Sequence, residues 1–357
     1  MTLLTLAGWI VAHALWQCTL IGGVAALALG LVRNARPDIR DRIAMAALAA
    51  MTVGPIVTAL LQPDLLPAVT RRSVTMAVDA AIPMPTYLEW RSAAMPVIGA
   101  LWMAGVIVGL IRFGVAWQRA RQLRTGLGGS TDATDMRLRA EVDTLSAAAS
   151  LRTRVEVRRS ALAQVPMVLG ARAPLILLPH QTLTTLSPEE LRSILAHELA
   201  HVRRRDYAAN VMQLAADCVT FFHPAARWMS RRIRIEREYS CDDAAIAAVG
   251  DRATYAHALA ALDDARTPCA VAVAAVSGTL VDRIARIAGR PRPTLDAVRG
   301  AMVMAAALVG AAALLASVLA IPQAVPPGTK VRSQRPPAGG TSIPPPDSTL
   351  LPKRPSR

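Results

Sequence analysis

Lysine is almost missing from this chain of 357 residues: Lys330 and Lys353 are the only two. The formal charge of +15 is therefore carried by arginine, and where the arginines sit matters more than their sum. Aromatic residues are also scarce, at 4%. That leaves few rings to stack on bases, so direct nucleic-acid binding is not expected despite the charge. The four cysteines, Cys18, Cys218, Cys241 and Cys269, form no C-x-x-C pair. This excludes a zinc ribbon, a thioredoxin-type redox site and a disulfide scaffold, and the four read as reduced thiols. Charged residues make up only 18% of the chain against 53% apolar. Such a balance excludes disorder over most of the length and points away from a purely soluble protein.

What the chain has instead is long apolar runs. A helix must hold about twenty apolar residues to cross roughly 30 Å of hydrocarbon, and four segments qualify: Leu3 to Val32, Ile43 to Leu61 with Pro55 inside it, Ala93 to Trp117, and Ala301 to Ile321. The first lacks a basic leader and is too long for a cleaved signal peptide, so it is expected to be a permanent span. Arg33, Arg36, Arg40 and Arg42 lie between the first two runs, Arg119, Arg121 and Arg124 follow the third, and Arg290, Arg292 and Arg299 precede the fourth. Arginine-rich short loops stay in the cytoplasm, which puts both termini outside and the long stretch after the third span inside. Within the first span, His13 and Gln17 share a helical face, where polar groups point into a bundle and form interhelical hydrogen bonds. After the fourth span, the Pro- and Ser-rich residues 322–357 read as a disordered extracytoplasmic tail.

The cytoplasmic stretch opens with an amphipathic helix over 134–150, an alternating strand at Arg154 to Arg158, and two apolar runs, Val165 to Leu169 and Leu175 to Leu178, that suggest a small sheet with a hairpin. Ser187-Pro-Glu-Glu190 then carries a capping box and a proline at the first helical position, so a helix begins there. It bears His197-Glu-Leu-Ala-His201. Histidines at i and i+4 project from one helical face at a separation suited to one Zn²⁺. Glu198, one step round, is placed to take the proton of an attacking water, which is the chemistry of a metallopeptidase. A third ligand is needed, and Glu236, Glu238, Asp242 and His223 are the downstream candidates. Glu238 and Asp242 form an i, i+4 pair on a helix predicted over 225–249, which suits a ligand and a partner that orients a histidine.

These motifs resemble the BlaR/MecR type of integral-membrane zinc metallopeptidases of bacteria. The likeness rests on Pro166-x3-Gly170-x3-Pro174-x-Ile176-x2-Pro179, His197-Glu-x2-His201-x2-Arg204-x-Asp206-x3-Asn210, Phe222-His-Pro224 and Glu238-x2-Cys241-Asp242. The resemblance implies that His197, His201 and Glu238 bind zinc, that Glu198 is the catalytic base, and that Leu175, Ile176, Leu177 and Leu178 form an edge strand receiving an extended substrate. Asp206 is expected to cap the next helix. The departure is at the C-terminus: antibiotic-sensing members carry an external penicillin-binding domain with S-x-x-K, and the Pro-rich tail stands in its place here, so acylation by β-lactams is not expected.

The expected protein is thus an α+β membrane protein, with four transmembrane helices and a mainly helical, zincin-like cytoplasmic domain containing a small β-sheet. Residues 1–117 form a three-span module, 118–298 the zinc metallopeptidase domain, 299–321 the fourth transmembrane helix and 322–357 the tail. By resemblance it is a zinc metalloendopeptidase of the bacterial inner membrane, cutting a cytosolic regulator such as a transcriptional repressor, with self-cleavage and homo-oligomerisation left open and lipid around its spans. Two alternatives stand beside this: a quality-control protease of the HtpX type, which would cut many unfolded proteins, and a non-catalytic receptor scaffold.

Overall fold

The computed structural model describes residues 2–61, 84–125, 136–264 and 273–289; the expected fourth span and the tail lie outside them. Among the described residues, three helices are long and apolar enough to cross a membrane: α1 (Leu3–Leu31), α2 (Pro37–Leu60) and α3 (Met84–Thr125, with the apolar part from Ala93). Thr2 caps α1 through its side chain, and Pro37 opens α2, where a missing N–H costs nothing. The helix crossing of α1 and α3 is set by glycine. A Cβ on Gly8 would lie 2.2 Å from the Met95 carbonyl oxygen, and one on Gly99 would lie 2.0 Å from that of Leu4, so each backbone needs the other helix's missing side chain. Between α1 and α2, Gln17 donates to Thr58 at 2.8 Å, the interhelical bond expected of a polar residue in that position. His13 sits between the rings of Trp9 and Trp16, with centroids 5.9 and 6.4 Å away.

The rest of the described chain runs α4 (Met136–Ala148), β1 (Glu156–Ser160), β2 (Met167–Leu169), β3 (Leu175–Pro179), α5 (His180–Thr185), α6 (Pro188–Arg204), α7 (Asp206–Thr220), α8 (Pro224–Val249), α9 (Arg252–Asp264) and α10 (Val273–Ile287). Ser187 and Glu190 form the reciprocal capping box of α6. A single left-handed residue, Arg205 at φ 59°, turns α6 into α7. The strands form one sheet of order β1-β3-β2, with β1 parallel and β2 antiparallel to β3. The β2–β3 turn needs Gly170, whose φ is +94° and whose missing Cβ makes room for the Arg124 guanidinium at the end of α3.

That topology corrects one expectation. Leu175 to Leu178 are not an edge: β3 is paired on both sides, so its backbone has no row of groups left to receive a peptide. Its two faces are covered as well. Ile176 and Leu178 pack with Leu195 and Leu199 of α6 and with Val142 of α4, while Leu175 and Leu177 pack with Ala120 and Leu123 of α3. The edges of the sheet are β1 and β2, and of these β2 lines a cleft through Met167 and Val168.

The membrane helices share a core with the helices that follow the sheet. Ala14 and Cys18 of α1, Ala44, Leu48 and Met51 of α2, and Ala225, Met229 and Ile233 of α8 form one buried cluster, in which small residues let the helices approach closely. Helix α8 is thereby clamped at its start to the bundle while its later turns pack against α6.

Candidate metal centre

Helix α6 has its apolar positions spaced to face the sheet on one side and α8 and α9 on the other, so Ser193 through Ala200 are all buried. His197 and His201 leave that helix at the floor of a cleft of about 370 Å³, which Glu198, Glu238, Asn210 and Arg283 also line, and which Val165 to Val168 border at the β2 edge. The two Nε2 atoms stand 3.2 Å apart. Glu238 on α8 brings its carboxylate to the same point, with oxygens 3.6 Å from His197 Nε2 and 3.9 Å from His201 Nε2.

Two imidazoles and a carboxylate are the donor set of a catalytic zinc site, and the spacing fits. Tetrahedral bonds of about 2.0–2.1 Å put neighbouring nitrogen ligands roughly 3.3 Å apart, close to the 3.2 Å separation of the two Nε2 atoms. Of the other candidates read from the sequence, Glu236 is fully buried against Arg40 and Arg232, and His223 caps α8 and faces Leu15 and Thr19 of α1. Neither reaches the two Nε2 atoms.

The Nδ1 atoms are tied separately. His197 Nδ1 lies 2.8 Å from the Tyr255 hydroxyl, which in turn donates to Asp242 at 2.7 Å. With the tyrosine proton committed to Asp242, the hydroxyl oxygen accepts from His197 Nδ1–H, and the Nε2 lone pair is left facing the cleft. Asp242 itself lies 3.4 Å from Nδ1, so it acts on His197 chiefly through Tyr255. His201 Nδ1 faces Asp206 at 2.8 Å. Asp206 does not cap α7 through its side chain; it occupies the first turn, and its carboxylate is turned back to the histidine. Cys241 adds its sulfur 3.4 Å from His201 Nδ1. Burial pushes that thiol up to about 11, and it lies on the Nδ1 side of the ring.

Arg283 of α10 closes the site. It holds Asp242 through two nitrogens, at 3.0 and 2.5 Å, and reaches Glu238 at 3.0 Å. Burial works against ionised Glu238, yet Arg283 and the two histidines outweigh it and hold the carboxyl well below its usual range. Burial likewise opposes a charge on His201, and Cys241, Asp206 and Glu238 together raise it well above the usual imidazole value.

Tyr255 and Arg283 escaped the sequence reading, since each lies on a separate helix with no spacing that ties it to His197. Asp206 was visible in the motif, five residues from His201, but was expected to cap a helix and not to hold the histidine.

The BlaR1 peptidase M56 family model matches residues 1–287. The chain is also 32% identical over 93 residues to the "Regulatory protein BlaR1" of Bacillus licheniformis, a match covering 26% of this chain and 15% of that relative. With a family match spanning the membrane helices and the whole cleft, the chain belongs to the BlaR1 peptidase M56 family, a family of membrane-associated metallopeptidases.

Proposed function

We propose that the chain is a zinc endopeptidase of the bacterial inner membrane that cuts a cytosolic regulator, such as a transcriptional repressor, at a specific site. The observation that carries this reading is the convergence of His197 Nε2, His201 Nε2 and the Glu238 carboxylate on one point, with Glu198 beside them on the cleft wall. In this reading those three side chains hold the ion and Glu198 is the general base. When bound, zinc supplies a Lewis acid that polarises the scissile carbonyl and lowers the pKa of water to about 7. Tyr255 and Asp206 hold the two rings with their Nδ1 protons engaged. Glu198 takes a proton from the attacking water and delivers it to the leaving amine. The substrate lies extended along β2, because that strand is the edge bordering the cleft, and pairing with an edge fixes a peptide without regard to its side chains.

The inner-membrane orientation, with both termini outside and residues 118–298 inside, is supported by the arginine distribution. Lipid contact is supported by exposed Leu20, Val24 and Leu27 on α1 and Leu101, Val108 and Ile111 on α3. The regulatory role is supported by the name of the Bacillus licheniformis relative.

The test compares new protein N-termini in cells carrying the wild type with those in cells carrying Glu198→Ala, together with zinc analysis of both purified proteins. The expected result is one or a few cut sites lost in the variant, with zinc retained. Loss of zinc from Glu198→Ala overturns its role as base, and a broad set of unfolded proteins among the wild-type targets overturns site-specific regulation in favour of quality control. Reporter fusions after Arg42 and Gly128 should report cytoplasm, and fusions near Met84 and after Gly340 the exterior.

A further inference from the structure

Helix α2 carries Asp38, Arg40 and Asp41 within its first turn and a half. Charges at the mouth of a membrane helix ordinarily face water or headgroups, but here they are taken up by the peptidase helices. Arg204, the last residue of α6, donates through Nη2 to Asp41 at 2.6 Å and through Nη1 to Asp38. Its third edge, Nε, lies 3.3 Å from one oxygen of Asp206 and 3.4 Å from the other. Asp206 then meets His201 Nδ1 at 2.8 Å. Helix α8 is held in parallel: Ser240 donates to Asp38 at 2.6 Å, and Arg40 pairs with Glu236 at 2.7 Å, so α2 grips α8 on both sides of Glu238.

We propose that Asp38 and Asp41 are positioning residues of the metal centre, supplied by a membrane helix. A guanidinium is a rigid fork whose nitrogens are fixed relative to one another. While α2 occupies both Nη atoms, Arg204 can offer Asp206 only its Nε edge, and Asp206 keeps an oxygen for His201. The Arg204 side chain is only 16% exposed in the intact structure, and without the α2 carboxylates its remaining ion-pair partner among the described residues is Asp206. It then turns to a two-pronged grip on that carboxylate, drawing it from the histidine and loosening the ring that carries Nε2. The position of α2 in the bilayer is thereby read at the metal ligand through Arg204 and Asp206.

This inference rests on His197, His201 and Glu238 as metal ligands, and the experiment separates the two. Full-length protein in detergent or nanodiscs is titrated with Co²⁺ in competition with a chelator, recording the visible absorption of the bound ion and the unfolding temperature of the metal-free protein. Loss of a direct partner of a ligating histidine costs about 10–100-fold in metal affinity. Asp206→Asn is expected in that range, and D38N/D41N, one residue further out, at about tenfold with an altered absorption envelope. In the Asp206→Asn background the two α2 substitutions should cost nothing more, because their path ends at that carboxylate. Asp41→Asn alone should show a loss of about threefold and serves where the double variant does not fold. Asp243→Asn, which loosens only Arg286, should bind like the wild type. Unchanged Co²⁺ affinity and absorption in D38N/D41N, or in Asp41→Asn if the double variant does not fold, overturns the proposal while the ligand assignment stands. So do equal losses with and without Asp206. A wild type that binds no Co²⁺, or binds it independently of His197 and His201, overturns the ligand assignment itself.

Discussion

Replacing Tyr255 by phenylalanine removes one oxygen from the interior and leaves the ring, which is fully buried between α6 and α8, in place. That oxygen serves two partners, His197 Nδ1 at 2.8 Å and Asp242 at 2.7 Å. Asp242 is little affected, because Arg283 still holds both of its oxygens. His197 is the side that suffers. Its Nδ1–H is left facing Asp242 at 3.4 Å, too long for a good bond unless the ring turns, and turning the ring swings Nε2 away from Nε2 of His201. Leaving a buried donor without its partner costs about 1–3 kcal/mol. Taking about 2 kcal/mol and a decade per 1.4 kcal/mol, metal affinity should fall about 30-fold. Chelator competition with Zn²⁺ or Co²⁺ on the full-length protein measures this directly, and the unfolding temperature of the metal-free protein shows whether the fold has changed. A Tyr255→Phe protein that binds within twofold of the wild type would refute the idea that this hydroxyl orients His197.

Arg40→Met should destabilise the protein by about 3 kcal/mol, the low end of the cost of breaking a buried pair, because Glu236 keeps Arg232; denaturant unfolding in detergent should show recovery when Glu236→Leu is added. Gly8→Ala should lower thermal stability far more than Gly114→Ala, since the first Cβ meets a backbone oxygen at 2.2 Å and the second meets nothing within 4 Å; equal effects would mean that α1 and α3 are not held by close backbone approach. His197→Ala and His201→Ala should each lose the metal, whereas Glu236→Ala should retain it while losing stability, as read by metal analysis of the purified proteins.

The parts of the molecule legible in the sequence are those written in short spacing. The capping box at Ser187 and Glu190, the histidine pair on one helical face and the Glu238–Asp242 pair are all separations of three or four residues, and a helix converts such separations into neighbourhood without help from the rest of the fold. The position of β3 in its sheet was not legible this way, because the partner that covers its second side, β1, pairs with it in parallel although β2 lies between them in the sequence. A hint was present in the run itself: Leu175 to Leu178 show no alternation, which is the pattern of a strand covered on both faces. Tyr255 and Arg283 illustrate the opposite limit. They meet His197 and Glu238 only because α9 and α10 fold back over α6 and α8, a fact of tertiary packing that no local pattern carries. The role of Asp206 lies between the two, near His201 in sequence but dependent on the left-handed turn at Arg205 that points it backward.

Helix α3 continues well beyond the apolar stretch that identifies it, ending at Thr125 with Arg124 bonded to the Ala173 carbonyl beside the sheet. Mechanically it is a rod that passes through the bilayer and rests its tip on the peptidase. From Pro96, where the helical bonding is interrupted, to that tip is roughly 45 Å at 1.5 Å per residue. A tilt of about 6° pivoting near Pro96 therefore sweeps the tip by roughly 5 Å over that length, about the spacing between neighbouring strands. A change in bilayer thickness or in a neighbouring membrane protein that alters the tilt of α3 is expected to reach the β2–β3 turn through the bond from Arg124 to Ala173, working against the packing of Trp102 and Gly105 on α7.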